Sequence, residues 1–368
     1  IPGQIRILFS VDRWKSVFSA LWQQLSSGPV LLLIILIAAY LEWKKADMKR
    51  ALASTGNMVG KPSKDSILYT LKGIVWTLLL SLSWPLLMLG TGWQLQNAVS
   101  AEVFTKAVSL ALIQVAEALF ILRAFALMCS QEGVASKHFK WPAKALGLLH
   151  KDIRTLILGV LPLGFIAIVT VNTDFPGQEV GLARLVFILM MFSLTWFLYR
   201  TLNPSSGAMV ALWAQQGQKS VSGIRFAWMT LTIMVPLIAA ATAIAGYLYT
   251  AGALVENLVH TMWLALALII IHQFILRWLL VIRGRLMLRE MRKKREANRK
   301  SGADERSQAP LEDQALNINA LSEDSLSLLN LTTTVAAVFG IWMIWSDIVP
   351  AFCVFEQVTL YHHSVEVA

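Results

Sequence analysis

The sequence predicts an all-α integral membrane protein with about eight transmembrane helices arranged as repeated two-helix hairpins, and an N-terminal interfacial amphipathic helix. Three observations predict this fold class. The composition is strongly apolar, the basic residues are concentrated in alternate connections between apolar spans, and a short motif that closes a span recurs at a constant spacing.

The composition excludes an ordinary soluble domain. Hydrophobic residues make up 56% of the 368 residues, charged residues only 15%, and the mean hydropathy is +0.60. Soluble domains carry about 25% charged residues. The net charge of +10 does not indicate a nucleic acid partner, because such binding needs a basic face on a soluble module, and here the basic residues lie between apolar spans.

An aromatic residue, two further apolar residues and an arginine close three of the spans. The arginines of this motif are 77 residues apart in both steps: Arg123, Arg200 and Arg277. A proline lies inside the span that precedes each motif, at nearly the same spacing: Pro85, Pro162 and Pro236. A proline inside a helix removes a backbone hydrogen bond and bends the helix. An arginine at the end of a span can reach the lipid headgroups and anchor the span there.

The recurrence predicts three antiparallel hairpins, at 67–129, 154–200 and 226–282. They lie within a transmembrane region, 29–283, that holds the first seven spans. The first span has only a short apolar run, from Val30 to about Trp43, so its crossing depends on the residues beside it.

Three further segments complete the predicted organisation. Residues 1–28 place apolar residues at helical spacing with tryptophan at the polar boundary, which is typical of a helix lying in the membrane interface on the periplasmic side. Residues 284–324 are rich in charge and predict a mobile cytoplasmic linker. Residues 325–346 are predicted to form the eighth span, and 347–368 an external segment.

The basic residues set the predicted topology. The lysines and arginines outside the spans all lie in the connections after the odd-numbered spans, except for 3 in residues 1–28 on the other side. Cytoplasmic loops carry such an excess, so both ends of the chain are expected on the external face. Cys129 then faces the cytoplasm and Cys353 the outside, which excludes a disulfide or a shared metal site between them within one subunit.

Polar side chains within the spans are candidate functional residues. Gln114, Glu117 and His272 lie closest to the middle of their spans. They could form hydrogen bonds between helices, or part of a proton or ion relay. The sequence holds no motif of a known enzyme class and no cluster of metal-ligating residues, so neither catalysis nor a cofactor is predicted.

The last span and the residues after it resemble a known family. The resemblance rests on Leu328 to Leu331, Gly340 to Trp342, and the run Trp345-Ser346-Asp347-Ile348-Val349-Pro350-Ala351. These segments resemble the end of the membrane region that precedes the pore helix in the large MscS-type mechanosensitive channels. The residues that carry the motif are Trp342, Trp345, Asp347 and Pro350.

The resemblance implies the membrane-embedded, tension-sensing region of a homoheptameric channel in the bacterial inner membrane. Such a channel opens on hypoosmotic shock and releases ions and small osmolytes, with membrane lipids as partners and with permeating ions passing through a pore that is not in this chain. A secondary transporter or permease is the alternative. Transporters commonly use inverted repeats around a site at the membrane midplane, whereas the repeats here are parallel and the intramembrane polar groups are few.

Overall fold

The computed structural model describes residues 2–60, 65–98, 101–173, 181–203, 207–215, 223–301 and 310–346. All regular structure in these ranges is helical, in agreement with the predicted fold class. The helices are α1 (Pro2–Leu8), α2 (Val11–Ser27), α3 (Val30–Trp43), α4 (Lys45–Gly56), α5 (Ile67–Gln96), α6 (Val103–Met128), α7 (Val134–Lys137), α8 (Ala143–Val171), α9 (Gly181–Leu202), α10 (Ala208–Gln215), α11 (Gly223–Ile244), α12 (Leu248–Ser301) and α13 (Pro310–Trp345). The chain divides into two compact units, residues 1–252 and 253–368.

In the first unit, each long helix packs against its neighbours along the chain. Helix α5 contacts α3 and α6, α6 contacts α8, and α9 contacts α8 and α11. The pairs α5–α6 and α8–α9 occupy the first two predicted hairpins. The third predicted hairpin would join α11 to α12, which fall mainly in different units, and it stays a prediction.

Close contact within the α5–α6 pair depends on glycine. The Ser109 hydroxyl donates to the carbonyl oxygen of Gly92 at 2.8 Å. A Cβ atom on Gly92 would lie 2.9 Å from Cγ1 of Ile113 and 3.0 Å from the carbonyl oxygen of Ser109. Small residues that permit such approach are typical of helix interfaces in membranes.

The prolines of the repeat lie inside helices, each in the second half of its helix: Pro85 in α5, Pro162 in α8 and Pro236 in α11. Their surroundings differ, because Pro85 and Pro236 are buried whereas Pro162 is exposed. The three prolines therefore share a place in the repeat but not a common packing environment.

The predicted count of eight crossings is not confirmed. Six helices in the described ranges are long and apolar enough to cross a membrane, and α2 with α3 forms a bent pair that would make a seventh. Helix α3 has 14 residues, a rise of about 21 Å against a hydrocarbon core of about 30 Å. In α11 the apolar stretch is likewise short, Met229–Ile244.

The predicted linker, 284–324, is helical over most of its length. Helix α12 continues to Ser301 and α13 begins at Pro310. The segment is rich in Arg, Lys, Glu, Leu and Ala, which favour helix wherever packing does not decide. Charge density led the sequence interpretation toward a linker, although the same residues have high helix propensity.

Much of the apolar surface of the spans is not covered by this chain. The candidate spans of the first unit bury 33–39% of their most apolar stretch, whereas α12 and α13 bury 11% and 6%. Lipid or further protein must cover the remainder, since apolar surface of this extent is not left in contact with water.

Candidate functional site

The second arginine of the repeat, Arg200, pairs with a buried carboxylate. Its Nε atom lies 2.6 Å from Oδ1 of Asp152, and the exposed fractions of the two side chains are 36% and 1%. Asp152 is in the third turn of α8 and Arg200 at the end of α9, so the ion pair joins the two ends of one hairpin that are predicted to face the cytoplasm, here called the inner ends. A cavity of about 20 Å³ beside the pair is lined also by Thr155 and Ser193, which is room for about one water molecule.

The first arginine, Arg123, is partly buried near the inner end of α6. It interacts electrostatically with Glu42, at the end of α3. Glu42 also pairs with Lys45 and accepts a hydrogen bond from the Ser83 hydroxyl at 2.9 Å. The group links α3, α5 and α6 through one carboxylate.

The third arginine, Arg277 in α12, is 8% exposed. All three motif arginines therefore have protein surroundings, and at least two of them interact with a carboxylate of another helix. Their role as lipid anchors stays a prediction, to which the structure adds partners that the sequence did not identify.

A buried histidine after α7 links two helices of the first unit, α4 and α5. His138, 2% exposed, lies with Nε2 3.2 Å from the Thr55 hydroxyl and with Nδ1 3.1 Å from the Thr70 hydroxyl. Thr55 donates its own proton to the carbonyl oxygen of Leu52 at 2.6 Å. His138 Nε2 therefore donates to Thr55, and Nδ1 accepts from Thr70. This arrangement connects α4 and α5 to the segment after α7.

The N-terminal helices tie the outer ends of the same unit. The side-chain oxygen of Gln4 accepts from the backbone N–H of Leu182, at the start of α9, over 2.7 Å. Arg13 lies over the ring of Phe104 at 5.6 Å, and Trp14 meets the same ring edge-on at 5.7 Å. Phe104 begins α6, so residues 2–27, here called the outer strap, contact both hairpins.

Polar contacts join α12 to α13 in the second unit, and two of them are well defined. His272 Nδ1 lies 3.1 Å from the Thr333 hydroxyl, which itself donates to the backbone, so His272 is the donor. Trp345 Nε1 donates to the Thr261 hydroxyl at 3.0 Å. The two contacts run in opposite order along the two helices, as in an antiparallel pair.

The residues of the family motif divide between described and undescribed parts of the chain. Trp345 makes the contact to Thr261, whereas Trp342 is 63% exposed and stacks obliquely on Phe339 at 6.1 Å. Asp347 and Pro350 lie outside the described residues, as does Cys353. Cys129 is 2% exposed, at the inner end of α6.

Gln114 and Glu117 are both exposed on α6. Within the described part of the chain, neither side chain has a hydrogen-bond partner. The hydrogen bond between helices that the sequence suggested for them is thus not made inside the first unit. Polar groups within a membrane usually face protein or water rather than lipid. We therefore expect the surface formed by Gln114 and Glu117 to face protein or water, unlike the apolar surface around it.

Comparison with known proteins identifies the family. Residues 29–361 match the family "Mechanosensitive ion channel inner membrane domain 1". The chain is 24% identical over 375 residues to the miniconductance mechanosensitive channel MscM of Escherichia coli (strain K12), covering 98% of this chain and 33% of that protein. It is 25% identical over 359 residues to the mechanosensitive channel MscK of the same organism, covering 95% of this chain and 30% of MscK.

The chain thus spans about a third of the length of these relatives. It is a multi-pass protein of the bacterial inner membrane. A match over most of the chain, together with the all-helical spans, establishes the relationship that the last span suggested. The chain belongs to the MscS-type family of mechanosensitive channels, as its inner membrane domain.

Proposed function

We propose that this chain is the tension-sensing region of a channel that opens on hypoosmotic shock and releases ions and small osmolytes. The observation that carries the proposal is the family match over residues 29–361. Both relatives are named as mechanosensitive channels, and this chain corresponds to about a third of each. The pore would belong to a part of the protein outside this chain.

The array of hairpins is suited to respond to lipid. Tension shifts an equilibrium only if the two states interact differently with the membrane, and a shift from 1:99 to 99:1 takes about 5.5 kcal/mol. Hydrophobic mismatch costs fractions of a kcal/mol per Å. Several spans with uncovered apolar surface, repeated around a homoheptamer, can supply this energy from small changes of tilt and exposed area.

The inner ends of the hairpins are the points at which tilt would be controlled. Each hairpin of the first unit carries its motif arginine at this end, where Arg123 interacts electrostatically with Glu42 of α3 and Arg200 pairs with Asp152 of α8. Each group holds together the inner ends of its own helices, so we expect each hairpin to tilt about this end. The prolines would set the bend of each hairpin, and the arginines would set the depth at which its inner end is anchored.

The test is patch recording of the complete protein in spheroplasts. One variant combines Arg123→Leu, Arg277→Leu and Arg200→Leu with Asp152→Leu, so that no buried carboxylate is left unpaired. The matched control is Arg154→Leu, which removes an exposed inner arginine outside the motif. We expect the motif variant to change the tension needed for opening at unchanged single-channel conductance, and the control to change neither.

Altered conductance at an unchanged threshold would place these helices beside the permeation path and refute the proposal that the hairpins respond to tension by a change of tilt. An equal shift in the control would assign the effect to inner-surface charge in general. Channel density in both cases is checked by labelling, so that poor insertion is not mistaken for a change in threshold.

A further inference from the structure

The apolar residues of α2 divide into two groups with different surroundings. Trp14, Val17 and Leu21 pack on the hydrophobic cluster formed by the outer ends of the spans, whose buried members include Leu95 and Phe104. A second group does not take part in this packing and is exposed: Val11 at 67%, Phe18 at 65% and Trp22 at 72%. Sequence periodicity alone places all of them on one broad apolar face.

The exposed group forms a narrow stripe. At 3.6 residues per turn, Val11, Phe18 and Trp22 project within about 40° of one another. Exposed polar residues lie on the neighbouring face, with Lys15 next to the stripe: Asp12, Lys15, Ser19, Gln23 and Ser26. Helix α2 thus has three faces, of which one packs on protein, one is apolar and exposed, and one is polar and exposed.

The environment of the apolar stripe can be inferred from the position of α2 in the first unit. Its packed face contacts the outer ends of α5 and α6, within a cluster that also includes residues at the outer ends of α8 and α9, so α2 lies at the level where these spans leave the membrane. It turns into α3 through a bend of 94°. A helix at this level and nearly perpendicular to a span runs along the membrane surface.

We propose that α2 binds the outer leaflet of the bilayer, with Val11, Phe18 and Trp22 inserted at the boundary between headgroups and acyl chains. Aromatic residues are enriched at that boundary, and a helix with an apolar stripe beside a polar face lies in the interface plane. The stripe is continuous with a lipid-exposed span, since α2 leads directly into α3, where Leu32, Leu33 and Leu36 are at least half exposed.

The outer strap would then contact the lipid and the ends of the spans at the same time. Helix α2 contacts α5 and α6 of the first hairpin, and α1, which precedes it in the outer strap, adds the Gln4 contact to the start of α9. A change in the packing of outer-leaflet lipids would therefore act on two hairpins at once. This inference rests on the position of the outer strap and is independent of whether the hairpins sense tension.

The test uses nitroxide labels on the complete protein in vesicles of phosphatidylethanolamine and phosphatidylglycerol. Single cysteines replace Phe18 or Trp22, with Ser19 and Gln23 as matched positions on the polar face, in a background with Cys129→Ala and Cys353→Ala. We expect labels at 18 and 22 to collide more often with oxygen, which is concentrated in lipid, than with a water-soluble nickel complex. Labels at 19 and 23 should show the reverse.

Two results would overturn the proposal. If labels at 18 and 22 favour the nickel complex as strongly as those at 19 and 23, the stripe faces water. If they are immobilised and shielded from both reagents, protein covers it. A normal elution profile and the expected pattern at 19 and 23 establish in each case that the strap is folded.

Discussion

The buried His138 side chain links α4 and α5 to the segment after α7, although these are far apart in sequence. Replacing Thr70 by Val removes the hydroxyl that donates to the buried Nδ1 of His138, whereas Thr70→Ser keeps it. We expect Thr70→Val to lower the free energy of unfolding by about 1–3 kcal/mol and Thr70→Ser to cost clearly less. Thermal unfolding of the purified protein in detergent compares them, and equal losses would show that the methyl group, not the hydrogen bond, matters.

The pair formed by Asp152 and Arg200 makes a second prediction at this scale. Arg200→Met leaves the Asp152 carboxylate buried without its cation. A fully buried pair costs about 3–5 kcal/mol to break, and we expect about 2 kcal/mol here, because the Arg200 side chain is 36% exposed and water screens such groups.

The double variant Asp152→Leu with Arg200→Met should recover most of that loss, since replacing both charges by apolar groups is often neutral or stabilising. Arg154→Met, on the exposed face of α8, serves as the control and should change the unfolding temperature little. If the double variant is less stable than Arg200→Met alone, the carboxylate is held by groups other than Arg200.

The sequence predicted part of this chemistry. The spacing of 77 residues identified Arg123 and Arg200, because a repeat is a property of one chain read in order. Their partners, Glu42 and Asp152, could not be found in this way, since they come from other helices. Asp152 left one signal, a lone acid within the basic run Lys151 to Arg154. His138 left none, because its two partners are 68 and 83 residues away.

At the scale of helices, two glycines allow a matched test of packing. Gly92→Ala would force a Cβ atom within 3.0 Å of a carbonyl oxygen of α6, and we expect a loss of about 1–3 kcal/mol from overpacking. Gly147→Ala, in α8, meets nothing within 4 Å and should stabilise by about 0.5–1 kcal/mol, because alanine favours helix. Opposite shifts in unfolding temperature support the α5–α6 contact, and a gain in both would contradict it.

The helices themselves were largely predictable. Long apolar stretches such as α5, α6, α8 and α9 follow from hydropathy, since a bilayer admits only helices whose backbone is internally bonded. Two elements were harder to predict from hydropathy. Helix α3 is too short to span a membrane alone and lies between the polar helices α2 and α4. The end of α12 is helical although its charge and low hydrophobicity predicted only a linker.

For the molecule as a whole, topology is the property most open to test. Cys129 is too buried to report it, so cysteines are introduced at Gln23, exposed on the outer strap, and at Lys151, exposed near the inner end of α8, after Cys129→Ala and Cys353→Ala. A membrane-impermeant maleimide added to intact spheroplasts should label position 23. Position 151 should react only after permeabilisation, and the reverse order would invert the assignment.

The length of α12 gives the protein a mechanical property of its own. Its 54 residues extend about 81 Å, and no proline interrupts them. From the predicted membrane exit near Ile282 to Ser301, the helix would extend about 28 Å beyond the membrane, on the side predicted to be cytoplasmic. A tilt change of about 10°, small within the range that spans adopt, would carry the far end through about 5 Å. A small change in the tilt of α12 would therefore displace its C-terminal end by about the length of one helical turn.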